Sequence, residues 1–516
     1  MCDFLLIQKA FKKLKSNIYY DKTNLPLRDK IVSFESKYGD ELDDYLSEIF
    51  QAFIDGGDKW EALCTKILSS IDCIVLPKSI KKDASSPEVI SNFHPSKEII
   101  VEKHQSFIDM NVEGHLMGMI WLFLVGWKLD KELHCCYGNR MRAKLRNQFS
   151  EEITFSPYLF EPYFEKYESW RDTALQLAET QLSKNEDVLV LTLDFERFYY
   201  SIDITEDFMQ NILLKACDKN NIEEDIWVSR INRLIFKIIT KYSEQYYQLF
   251  SEDEQKNILP IGFLPSNVIA NWCLKPFDDA LTNGWNPLYY GRYVDDILIV
   301  EKIEKNSALY KKASEENITV DDIISYYLVK ESRWKGFEPS LKGKALFRRK
   351  KSSGNKSIEY SVLPEITQKL GEKTKIKVQD TKAKVFYFKS GQSDALISCF
   401  RDNISKNKSE FRRMPEDDSV FLNDDYSEIY ELNQKGINKF REVDGISLDK
   451  YGLSKYLGKY QRVCGLVNDK HESKFVKDIQ KIFTPKVIIE NYTLWEKVFS
   501  ILYVNNYFAN CNSKLQ

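Results

Sequence analysis

The chain has 516 residues, 29% of them charged and 43% hydrophobic, with a formal net charge of −3. That length and apolar share exclude a disordered or fibrous chain and leave room for two or three domains. The near-neutral balance excludes a plain polycation, so nucleic acid could be met only through local basic patches.

Taken in order, the first segment predicts a helix that sets Lys9, Lys12, Lys13 and Lys15 beside Leu6, Phe11 and Leu14. Its lysines are candidates for phosphate contact; its apolar residues could equally dock it to a core. Leu116 to Trp127 is strongly apolar but too short to cross a bilayer, so it predicts a core helix. The ten cysteines include no CxxC pair and no zinc-like cluster, and adjacent Cys135 and Cys136 read as buried thiols. With no secretory signal in view, a cytoplasmic protein with reduced thiols is expected. Arg140, Arg142 and Arg171 could each meet an incoming phosphate or RNA, or hold a structural ion pair.

Val188 to Leu193 is a continuous β-prone run that ends in Asp194, the pattern of a strand buried on both faces. Further on, Leu288 to Val300 sets Asp295 and Asp296 between two runs of strand formers, which predicts a β-hairpin with the acids at its tip. Two carboxylates about 4 Å apart repel by roughly 4 kcal/mol at an effective dielectric near 20. A divalent cation reverses that sign; a turn with two solvated aspartates is the plainer alternative. With Asp194 as a third acid, the set predicts a two-Mg²⁺ site for phosphoryl transfer.

Between these acids, Gly262 would let a nucleic-acid strand approach the backbone. Ser266 would cap a helix starting at Asn267 or touch substrate, and Val268, Ile269, Trp272 and Cys273 mark that helix's apolar face. Lys342, Lys344, Arg348, Arg349, Lys350 and Lys351 precede the small polar run Ser352-Ser353-Gly354-Asn355. That pattern predicts a basic hairpin reaching for phosphates, or a solvated loop. Val385 to Phe388 reads as an apolar-aromatic strand. In the last hundred residues, Lys455 to Tyr460 and Trp495 to Tyr507 have helical spacing.

Three motifs in this order resemble a reverse transcriptase. The family's first motif, an Asp followed five positions later by Phe or Tyr, corresponds to Asp194 and Tyr199. Its third, an aromatic and any residue before Asp-Asp, corresponds to Tyr293 to Asp296. Between them, Leu259 to Asn271 follows the family's Leu-Pro-Gln-Gly and Ser-Pro-x-x-Ala-Asn signature, except Ile261 for Gln and Asn267 for Pro. The resemblance implies an α+β fold with right-hand-like fingers and palm, and a C-terminal all-α domain in place of the thumb. Residues 1–175 would be an N-terminal extension and fingers, 176–400 the palm with a basic insertion, and 401–516 the helical domain. Asp194 and Asp295 would hold two Mg²⁺ ions, or Mn²⁺ in their place, helped by the Phe195 carbonyl and supported by Asp296. Tyr199 would pack under the sugar and reject a 2′-hydroxyl, which makes dNTPs the expected substrate. Lys382, favoured over Lys384, would protonate the leaving pyrophosphate.

Segments outside these motifs, among them Val125 to Asp130, Tyr137 to Met141, Tyr163 to Asp172 and Ile446 to Lys455, look like the bacterial defence-associated and abortive-infection reverse transcriptases. The closest resemblance is to defence-associated type 9, or to the abortive-infection K and P2 relatives. That implies antiphage DNA synthesis, primed from a protein tyrosine and either untemplated or copied from a partner non-coding RNA. It also implies a homo-oligomer, a trimer or hexamer, that holds product DNA and has no membrane role. Ile261 removes an amide beside Gly262, which fits relaxed template use. Two alternatives stay open: another palm-fold nucleotidyltransferase of the RNA polymerase kind, and a non-catalytic RNA-binding scaffold.

Overall fold

The computed structural model describes residues 4–20, 24–80, 101–142, 159–217, 222–250, 255–315, 318–329, 345–351, 358–378, 383–390, 430–434, 443–448, 453–454, 456–458, 461, 479, 482–483 and 485–504. They form an α+β protein of helices and small sheets. Two compact units are present, Met1–Ile74 with Phe107–Lys406, and Val75–Ser106 with Asn407–Gln516. Among the described residues, no helix is long and apolar enough to cross a membrane.

The larger unit opens with four helices, α1 (Leu5–Tyr20), α2 (Leu25–Tyr38), α3 (Leu42–Asp55) and α4 (Gly57–Ser69). Leu6, Phe11 and Leu14 of α1 are buried in the core, so the apolar residues do dock this helix. Lys13 goes under with them, and burial, with the charge of Arg142, lowers its pKa to about 8. The strands β1 (Asp72–Ile80) and β2 (Val101–Asp109) pair with each other and fall mostly in the second unit; the larger unit resumes with α5 (Val112–Trp121), which passes through a π-helical turn, Leu122–Gly126, into α6 (Trp127–Asp130). Every residue from Val112 to Gly126 is buried. A helix that is apolar on nearly every side, with only Glu113 and His115 polar, has no solvent face to offer, which is why this one is the core helix.

Next come α7 (Tyr163–Ser183), β3 (Asp187–Asp194), α8 (Phe198–Ser201), α9 (Glu206–Ala216), α10 (Ile222–Phe250), α11 (Leu264–Cys273) and α12 (Lys275–Gly284). The hairpin β4 (Tyr289–Tyr293) and β5 (Asp296–Ile303) follows, then α13 (Ala308–Glu315) and α14 (Val320–Leu328). A second hairpin, β6 (Phe347–Lys351) and β7 (Ile358–Val362), leads through α15 (Pro364–Thr367) to β8 (Lys384–Phe388).

Four of these strands make one antiparallel sheet in the order β4-β5-β3-β8. Its two central strands are covered on both faces. Val188 and Val190 pack with Leu298 and Val300 beneath Trp170, Ala174 and Ala178 of α7. Leu189, Leu191 and Leu193 turn with Ile297 and Ile299 into the main core. The unbroken apolar run on β3 follows from this double burial.

The second unit is not wholly helical, which corrects the expected all-α C-terminal domain. β9 (Tyr430–Gln434) and β10 (Val443–Leu448) pair antiparallel. Tyr430 and Leu432 alternate with polar neighbours, as do Ile446 and Leu448, a period of two rather than of helical turns. Helices α16 (Pro485–Glu490) and α17 (Trp495–Val504) do form, over a core that includes Leu453, Leu457, Ile479, Val498 and Leu502.

Candidate active site

The end of the four-stranded sheet carries the expected acids, although among the described residues no three of them make a group that could hold a metal ion. In the β3–β5 register Asp194 stands directly opposite Asp296, and Tyr293 opposite the same residue across the hairpin. Only Val294 and Asp295 form the turn. The register makes Asp296 the direct cross-strand partner of Asp194, with Asp295 at the tip. Directly opposed side chains share one face of a sheet, with Cβ atoms about 4.5–5.5 Å apart, and like charges there destabilise.

The surroundings divide Asp295 from Asp296. Burial, then the charge of Asp295, raises the Tyr199 hydroxyl pKa. Burial, then the charge of Asp296, raises that of Tyr163 at the start of α7. Asp295 therefore lies on the Tyr199 side and Asp296 on the α7 side. There the Tyr163 and Tyr167 rings meet Tyr293 edge-on at 5.7 and 5.4 Å. Tyr199 donates its hydroxyl to Asn267 Oδ1 at 3.0 Å, so one departure from the expected signature anchors this ring. Phe195 is buried and bridges to Val378, while the Glu196 N–H donates to the Lys377 carbonyl.

Arg292 of β4 is fully buried one residue before Tyr293. Its Nε and Nη2 bind Asp278 of α12 at 3.0 and 2.8 Å. Nη1 reaches Asn271 Oδ1 at 3.0 Å and the Val294 carbonyl at 2.7 Å, and Nη2 also meets the Asn271 carbonyl at 3.2 Å. Tyr290 adds its hydroxyl to Asp278 at 2.5 Å. The segment Cys135 to Gly138 closes the other side. Arg292 N–H donates to the Cys135 carbonyl and Tyr137 N–H to the Arg292 carbonyl. Asn271 Nδ2 donates to the Gly138 carbonyl at 2.9 Å. A Cβ on Gly138 would stand 2.8 Å from the Val294 nitrogen, so glycine is what lets this loop sit under the turn.

Other expected site residues fall as follows. Gly262 has φ 87°, which only glycine adopts freely. The space its Cβ would need is taken by Phe107 at 3.2 Å and Asn24 at 3.3 Å. Ser266 is not a helix cap. α11 begins three residues before the expected start because Pro265 fits its first turn, where a missing N–H costs nothing. The cap position is Phe263, and Ser266 is fully buried, its Oγ without a hydrogen-bond partner among the described residues. Arg140 is buried on Asp130, Nε to Oδ1 at 2.9 Å, and on the Cys136 carbonyl at 2.7 Å. Arg171 pairs with adjacent Asp172 at 2.8 Å, and Arg142 lies 3.9 Å from Glu161.

The basic hairpin is present as β6 and β7. Arg348 and Lys350 are exposed on it. Arg349 points the other way into a two-pronged ion pair with Asp321 at 2.8 and 2.9 Å. Lys351 ends the strand opposite Ile358. Lys342, Lys344 and Lys382 lie outside the described residues.

Hard oxygen donors suit Mg²⁺, which is commonly held by one or two carboxylates with substrate phosphates and water completing the shell. Asp194, Asp295, Asp296 and the Phe195 carbonyl could serve that way. Among the described residues, no group of three His, Cys, Asp or Glu side chains is arranged as a ready metal cage. By donor chemistry alone, three carboxylates and a carbonyl oxygen, the set is of the kind Mg²⁺ takes. Arg292, Asn271 and Asp278 were given no role on sequence grounds. The one signal was a charged residue inside an apolar strand, which must be paired if buried. No protein-family model matches the chain, and no curated protein matches it either.

Proposed function

We propose that this chain is a DNA-synthesising nucleotidyltransferase of the reverse transcriptase kind, acting in bacterial antiphage defence. One observation carries the reading: Asp194 is set directly against Asp296, which follows Asp295 in the chain, at the end of the four-stranded sheet. Like charges directly opposed across two strands repel, and a bound divalent cation reverses that sign. Two bound Mg²⁺ ions would supply charge stabilisation on the transferring phosphoryl group and lower the pKa of the attacking hydroxyl. The protein's own part is positional. Asp194 and Asp296 present carboxylates from adjacent strands, and Asp295 presents one from the turn. Phe195, next to Asp194 in the chain and bridged to Val378, would add its carbonyl. Tyr199, tethered to Asn267, offers its ring to the sugar side and disfavours a 2′-hydroxyl. Exposed Arg348 and Lys350 are suited to phosphates of RNA or product DNA. Within this reading a tyrosine of the protein primes synthesis, a non-coding RNA serves as template or partner, and the chain works as a homo-oligomer in the cytoplasm.

The test is incubation of the purified chain with labelled dATP or ATP and Mg²⁺, followed by protease digestion of any product. Incorporation of dATP over ATP, with product size falling after protease, is expected. Asp295→Ala with Asp296→Ala should abolish it. Wild-type incorporation by that double variant, or none by wild type with any nucleotide, would overturn the proposal.

A further inference from the structure

We infer that Arg292, held by Asp278 and Asn271, is the positioning residue that fixes the Val294–Asp295 turn and so the spacing of the three acids. Val294 has φ 59°. A β-branched residue in that left-handed region is strained, and the first place of a two-residue hairpin loop normally takes glycine there. Left to itself, Val294 would return to an extended φ and carry Asp295 off the sheet end. Such strain persists only where its surroundings over-determine it.

The opposing force is visible. The Val294 carbonyl accepts from Arg292 Nη1 at 2.7 Å. That guanidinium has no freedom of its own, because its five N–H groups are all engaged, on Asp278, Asn271 and Val294. Asp278 and Asn271 in turn sit on two helices, α12 and α11. The turn is thus pinned to helices rather than to its own hairpin. Gly138 adds the second wall, against the Val294 nitrogen and side chain. Lysine could keep the charge opposite Asp278, but a single ammonium cannot reach Asn271, Asp278 and the Val294 carbonyl at once.

The inference deepens the proposed function only in what it says of metal binding; the backbone claim stands apart. Two readouts on the full chain separate them: Mn²⁺ affinity by electron paramagnetic resonance without substrate, and hydrogen exchange of the Val294 to Ile297 amides. Arg292→Lys should weaken Mn²⁺ binding about tenfold, the worth of one hydrogen bond to a charged group. It should also speed exchange in the turn. Adding Val294→Gly should return both readouts to the level of V294G alone, because glycine holds a positive φ without help. A role in core packing alone predicts no such rescue. Wild-type behaviour of R292K, or simple addition of the two losses in R292K/V294G, would overturn the inference. If R292K does not fold, the pair D278N/R292Q removes both buried charges together and faces the same readouts and the same rescue by V294G. Absence of Mn²⁺ binding by wild type would count against the two-metal reading, while the exchange measurements would still decide the turn.

Discussion

Asp296→Asn gives the most direct test of the acid pair, because it needs no substrate and no activity. Asparagine keeps the shape and removes one charge. Cross-strand partners have Cβ atoms about 4.5–5.5 Å apart. Two unit charges near 5 Å, at an effective dielectric around 20, repel by roughly 3 kcal/mol. Asp194 is only 8% exposed, but Asp296 is half-buried, so water screens part of this. A gain on the order of 1–2 kcal/mol remains for D296N in EDTA. The order should reverse with metal. A cation at a hundred times its dissociation constant stabilises the folded state by about 2.7 kcal/mol, and wild type should collect that while D296N collects little.

The assay is urea unfolding of wild type, D296N and D295N in EDTA and across a Mg²⁺ titration. D295N serves as the comparison because Asp295 sits in the turn and faces no carboxylate in register. Its gain in EDTA should be the smaller. Wild type should move to higher midpoint with Mg²⁺, and the two D296N curves should nearly coincide. The reasoning is refuted if D296N is less stable than wild type in EDTA, or if it keeps the whole Mg²⁺ gain.

Two further outcomes follow from groups away from the acids. His115 is buried, and burial, with the charge of Lys30, lowers its pKa to about 3. It is neutral in the folded chain at pH 5, whereas the unfolded form binds a proton below about 6.5, so stability falls as pH drops from 6.5 towards 3. The loss at pH 5 should be about 2 kcal/mol, and His115→Leu should flatten the unfolding midpoint between pH 7 and 5; an unchanged slope would refute the assignment. On the basic hairpin, Arg348→Ala with Lys350→Ala should reduce the salt slope of oligonucleotide binding by up to about two, while Arg349→Ala should leave the slope alone and lower stability. A slope change in R349A and none in the double variant would reverse the roles drawn from the Asp321 pair.

How much of this was legible in the chain depends on how local each cause is. β3, the β4–β5 hairpin and the Leu116 helix are written in runs of neighbouring apolar residues, and they form where those runs predict. The approach of Asp194 to Asp296 needed one inference more, that a doubly buried strand must lie beside the hairpin. The start of α11 was misplaced because Ser266 has the chemistry of a cap, yet Leu264-Pro265 already satisfies the geometry of a first turn. β9 and β10 were missed because their alternation is short and is followed by stronger helical spacing further on. Arg292 was beyond reach for a different reason. Its partners Asp278 and Asn271 stand 14 and 21 residues away on separate helices, and no periodicity links them.

That last case says where the site's accuracy is stored. Aspartates can be read from sequence because their chemistry is intrinsic to the residue. Their spacing cannot, because it is held by a strained valine, a glycine under it and a guanidinium with no donor to spare. A change that leaves all three aspartates intact but loosens Arg292 should therefore keep the recognisable motif and lose the cation. The motif is a necessary mark of this site; the buried network behind it is what would make the site bind.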